Sequence, residues 1–128
     1  MSDKKNSSGT AAPQWYRDLA AFQKGAWGQA IGQIADTVLP YLALFGFAVY
    51  SVEAGWPYWL TLLICIPACL LLVRTFIIFH DCTHGSFVPS AKGNRIIGFI
   101  TGALAFTPFE SWRLSHLKHH ATNGQLDH

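Results

Sequence analysis

The chain has 128 residues, 51% of them apolar and only 12% charged, against a charged share of about 25% in ordinary soluble domains. That balance excludes a typical soluble globule, and the length allows one domain at most. The net charge of +2 is small and its cations form no stripe, which excludes a nucleic-acid partner.

Lys4 and Lys5 are followed by Asn6-Ser7-Ser8-Gly9-Thr10 rather than by an apolar run, so residues 1–13 read as a polar tail, not a secretory signal. From Trp15 the spacing turns helical, with Trp15, Leu19, Phe22 and Ala26 on one face and Arg17, Asp18 and Lys24 among them. A helix on the membrane surface and one packed on protein fit that pattern equally. Residues 1–30 thus read as a cytoplasmic tail and a candidate interfacial helix.

Residues 31–79 predict a transmembrane hairpin, with spans at about 34–52 and 57–79. The first run gives roughly 28 Å of helix, close to the ~30 Å hydrocarbon core. Pro40 is expected in an early turn, where a missing amide matters little, and Pro67 is expected to kink the second helix. Glu53, Ala54, Gly55 and Trp56 separate the runs, and Trp56, Tyr58 and Trp59 cluster at the tip as interfacial anchors do. The tip has no lysine or arginine. Lys4, Lys5, Arg17 and Lys24 lie before the hairpin, and Arg74, Lys92, Arg95, Arg113 and Lys118 at its far end, so both termini are expected in the cytoplasm. Arg74 is expected to snorkel to the headgroups. Cys65 and Cys69 read as buried packing residues, and the three cysteines as reduced thiols.

Residues 80–128 read as a cytoplasmic segment rich in histidine. The apolar stretch 96–109 contains Gly98, Gly102 and Pro108 and is too short for a comfortable span, so it reads as interfacial or re-entrant. If it does not cross, two histidine clusters share one side. The clusters are His80-Asp81-Cys82-Thr83-His84 and His116-Leu117-Lys118-His119-His120, which hold five of the six histidines. His80 and His84 share a helical face, and His116 can converge with His119 and His120. Imidazole nitrogen is a common ligand for iron and zinc, and five imidazoles exceed what one tetrahedral zinc takes. The clusters point to a site with more than one ion at a membrane edge. Asp81, offset from His80 on the helix, would orient an imidazole rather than bind metal. Cys82 and Thr83 are weaker candidates, and His128 stands alone.

Iron and oxygen suit chemistry on an unactivated C–H bond, which offers no handle to acid, base or nucleophile. Two alternatives belong to other classes. His80-Asp81-x-x-His84 is similar to the His-Glu-x-x-His motif of zinc metalloproteases, although Asp is one methylene short and the second cluster would be idle. A membrane metal-binding or haem-binding protein would explain the histidines but not their paired spacing.

The segment Phe76-Ile77-Ile78-Phe79-His80-Asp81-Cys82-Thr83-His84-Gly85-Ser86-Phe87 resembles the first histidine box of membrane fatty acid desaturases. Trp112-Arg113-Leu114-Ser115-His116-Leu117-Lys118-His119-His120-Ala121-Thr122 is similar to their second box. The stretch from Asn94 to Pro108 and the tail Asn123-Gly124-Gln125-Leu126-Asp127 resemble bacterial acyl-lipid desaturases of the omega-6 type, and the likeness covers roughly residues 40–128. The resemblance implies an all-α protein of the bacterial inner membrane, a transmembrane hairpin followed by cytoplasmic or interfacial helices that carry the boxes. It implies two iron ions, with His80, His84, His116, His119 and His120 as ligands and O2 as co-substrate. The reaction would insert a cis double bond into an acyl chain, with electrons from a ferredoxin or cytochrome-type donor. Related histidine-box enzymes hydroxylate instead. Thr83 stands where the family usually has glycine. The family's third box lies far downstream, so the chain is expected to be an N-terminal portion that cannot complete the site alone.

Overall fold

The computed structural model describes Gln14 and residues 25–122. The surface helix expected from Trp15, and His128, therefore fall outside the described residues, apart from Ala26. Among the described residues are four long helices and no strand: α1 (Trp27–Glu53), α2 (Tyr58–His84), α3 (Ala91–Leu104) and α4 (Phe109–Thr122).

α1 and α2 are each long and apolar enough to cross a membrane and pack side by side as a hairpin. Gly55 turns the chain with φ of 68°, a left-handed conformation that glycine adopts freely. The Ala54 and Trp56 amides donate to Tyr50 and Ser51 carbonyls at 2.9 and 3.0 Å, which closes the helix end. Trp56 then packs edge-on against Phe47 at 5.6 Å and Tyr50 at 6.2 Å.

Both helices outrun the apolar stretches that announced them, because backbone hydrogen bonding continues where the side chains turn polar. This displaces Pro40, which lies in the interior of α1 rather than in an early turn. α2 runs unbroken through Pro67. Cys65 is half-buried and Cys69 exposed, so the expected packing burial fails for Cys69, which lines an open groove with Tyr41 and Phe45 of α1. Arg74 does not extend freely. Its guanidinium lies 3.3 Å from the Asp36 carboxylate on α1.

The interior of the chain lies at one end of the hairpin. Phe79, Cys82, Phe87, Val88 and Phe109 form one buried cluster there with Ala30 and Ile78. α2 stops at Gly85, which has φ of 72°, and its amide donates to the Cys82 carbonyl at 3.1 Å. Ser90 caps α3 by accepting the Gly93 amide at 3.1 Å. Buried Asn94 binds the intervening turn. Its Oδ1 accepts the Val88 amide at 3.0 Å, and its Nδ2 donates to the Val88 and Ser90 carbonyls at 2.7 and 3.0 Å. α3 can then lie close, because a Cβ on Gly98 would meet the Phe109 ring, and one on Gly102 the Phe79 ring. Phe106, at φ of 55°, reverses the chain into α4, and the Thr107 amide donates back to the Gly102 carbonyl at 2.8 Å.

Candidate metal centre

The end of α2 and the middle of α4 face each other across this cluster. His80 and His84, one turn apart on α2, meet His116 and His120, one turn apart on α4. One ring nitrogen from each of the four lies within 4.8 Å of the others. His84 Nε2 is 3.1 Å from His116 Nε2, which is 3.0 Å from His120 Nε2. The short apolar stretch has therefore brought the second box back to the first.

These spacings suit a cation. Two nitrogens about 2.1 Å from one ion and about 90° apart stand roughly 3.0 Å from each other. Hydrogen bonding alone fits less well. His116 Nε2 carries either one proton or one lone pair and cannot make both contacts at full strength. Desolvation first, and then the neighbouring imidazoles led by His120, hold His116 below the usual histidine range. It is thus neutral at pH 7, the state in which imidazole binds metal.

The floor of the cluster is aromatic. Trp112 stacks on His116 with centroids 4.3 Å apart and planes 19° apart, and meets Phe79 at 4.9 Å. It also approaches His80 at 5.9 Å. Its position one turn before His116 was the available signal, but sequence reasoning gave Trp112 no role. It fixes the ring plane of one candidate ligand and joins the cluster to the buried core.

His119 is the predicted site residue that does not converge. It is exposed and meets only the His120 ring among these imidazoles, at 6.1 Å, since adjacent helical positions diverge by about 100°. Asp81 Oδ1 lies 3.4 Å from His80 Nδ1, a long contact that an N–H on Nδ1 would make. Cys82 is buried against Gly98, in the core rather than the cluster. Thr83 is buried too, and its hydroxyl donates to the His80 carbonyl at 2.6 Å. The helix thereby accommodates the hydroxyl where glycine was expected.

The family model for fatty acid desaturases matches residues 54–128, more than half of the chain. This chain belongs to the fatty acid desaturase family. It is 39% identical over 114 residues to a fatty acid desaturase of Bacillus subtilis, covering 89% of this chain and 32% of that protein. An endoplasmic-reticulum omega-3 fatty acid desaturase of Vigna radiata is 32% identical over 84% of this chain and 28% of its own length. A Synechocystis sn-1 acyl-lipid omega-3 desaturase (ferredoxin) is 42% identical over 52 residues, 41% of this chain and 14% of that protein. The chain thus spans about a third or less of these relatives. Where their names specify a position it is omega-3, so the omega-6 type read from the sequence is carried no further. The protease alternative is not favoured, since both boxes meet at one point and Asp81 leans on His80. No solved structure matches this chain.

Proposed function

We propose that this chain carries part of the metal site of an oxygen-dependent acyl-lipid desaturase, with iron bound at His80, His84, His116 and His120. The observation that carries the proposal is the convergence of four ring nitrogens from two helices within 4.8 Å. Bound iron would supply the oxygen activation that an unactivated C–H bond demands. The chain's own residues do the rest. Asp81 holds a proton on His80 Nδ1, which leaves the other ring nitrogen free to bind metal. Trp112 holds the His116 ring and, with Phe79, excludes water from below.

By resemblance His119 would be the fifth ligand of a two-iron site. Two four-coordinate ions take about eight donors, so five imidazoles leave that pair incomplete. Further ligands would then come from outside these 128 residues. On this reading the cap, formed by the end of α2 with α3 and α4 and carrying the boxes, lies on the cytoplasmic side of a bacterial inner membrane, with both ends of the hairpin facing that side. The substrate class is an acyl lipid, in keeping with the acyl-lipid names of relatives. The ferredoxin in the name of the Synechocystis relative favours a ferredoxin as electron donor, with a cytochrome-type donor as the other outcome.

Metal content per chain, measured on detergent-purified protein grown with iron and zinc both available, tests the site. The wild type is expected to retain iron, His116→Ala to lose it, and His119→Ala to keep the metal bound by the other four. A single zinc per chain, or iron that survives His116→Ala, would overturn the assignment.

A further inference from the structure

The outward face of α3 lies apart from the histidine cluster. Lys92, Arg95, Ile96, Phe99 and Ile100 follow the spacing of one helical face, are all exposed, and line one shallow depression of about 380 Å³. The cations come first and the apolar residues follow, so polarity changes along the groove rather than across it.

Its two ends also lie at different levels of the hairpin. At the polar end, Arg95 lines a separate cavity with His84 and Gly85, at the terminus of α2. Beyond the apolar end, the chain leads through Leu104 to Phe106. That ring lines a groove with Phe45 on α1 and Leu72 on α2, inside the apolar reach of both candidate spans. α3 therefore descends from the end of the hairpin toward hydrocarbon depth. From Lys92 to Ile100 is roughly 12 Å of helix.

We propose that this face binds an anionic phospholipid, its phosphate on Lys92 and Arg95 and its acyl chains along Ile96, Phe99 and Ile100. The lipid's own head-to-tail gradient matches that of the groove in order and in depth. Arg95 already pairs with Glu110 at 2.6 Å, which uses one of its five N–H donors and leaves others for a phosphate. Lys92 makes no ion pair among the described residues. With Glu110 offsetting Arg95, the net excess is one positive charge, worth about a fivefold preference for an anionic over a zwitterionic lipid. The proposal rests on the membrane hairpin and not on the metal site.

The test uses the purified 128-residue chain in mixed micelles containing equal phosphatidylglycerol and phosphatidylcholine, followed by gel filtration and mass-spectrometric counting of the retained lipid. The wild type is expected to retain phosphatidylglycerol about fivefold over phosphatidylcholine. The double variant Lys92→Gln, Arg95→Gln is expected to return that ratio to one. Glu110→Gln breaks the same ion pair while leaving both cations, and is expected to keep or raise the enrichment. Phe99→Ser is expected to lower the total lipid retained. A wild-type ratio of one would overturn the proposal. So would a loss of enrichment in Glu110→Gln as complete as in the double variant, because the effect would then be structural.

Discussion

The hairpin and the cap are built on opposite economies of contact. Along α1 and α2, large apolar side chains such as Leu39, Leu63, Ile66 and Leu70 are more than half exposed within the chain. Two polar links join the helices instead, Ser51 to Thr61 near the tip and Asp36 to Arg74 toward the other end. In the cap, Phe79 and Val88 are almost wholly buried, and Asn94 ties down the backbone between α2 and α3. A helix in lipid needs no partner for its apolar face, because the tails are as apolar as leucine. Where Phe79, Phe87, Val88 and Phe109 meet, the chain makes its own interior instead. Placing histidines within 4.8 Å therefore falls to the cap's packing, with the hairpin as its anchor.

The largest expected effect tests this contrast directly. Phe79→Ala removes a fully buried ring that touches Phe109, Trp112 and the Gly102 backbone, and is expected to cost about 3–5 kcal/mol. Leu70→Ala removes a side chain that is 66% exposed in α2 and is expected to cost under about 1 kcal/mol in lipid or detergent. Thermal unfolding of both variants in one detergent, followed by tryptophan fluorescence, would sink the contrast if the two losses were equal.

Asn94→Ala comes next. It strands the Val88 amide and carbonyl in the interior, while the Ser90 carbonyl keeps the residue-94 amide, at a cost of about 1–3 kcal/mol. Hydrogen exchange should report it as lost protection of the Val88 amide, with amides in the middle of α1 unchanged. Equal loss in both places would mean that hairpin and cap unfold as one unit.

How much of this was legible depends on which neighbours decide each feature. The hairpin is written in runs of apolar residues and a Gly55 turn, since lipid reads composition and length. Its helix ends were read short. The runs mark where side chains are apolar, whereas α2 continues through His80 and His84 on backbone hydrogen bonds alone. Spacing within each box put His80 with His84 and His116 with His120, because one helical turn is a local property. It could not exclude His119, which depends on how α4 is rotated, and that rotation is set by Phe109 and Trp112 against Phe79. Nor could it assign Asn94, a polar residue in a short linker whose partners are backbone atoms. The burial of Cys69 was misjudged because an apolar run says that a face is dry without saying whether protein or lipid keeps it so.

The smallest effect probes the hairpin's own link. Buried Ser51 gives its proton to the Ala48 carbonyl at 2.7 Å, so at the 2.8 Å contact with Thr61 the Thr61 hydroxyl is the donor. Ser51→Ala deletes the acceptor and is expected to cost only about 0.6 kcal/mol, the usual worth of such a bond between membrane helices. Thr61→Val should cost about the same and, combined with Ser51→Ala, add little more, because both changes remove one bond. A double-mutant cycle in detergent measures this. Full additivity would show that the two hydroxyls act separately, and the tip would then be held by Gly55 and the Trp56 ring contacts instead.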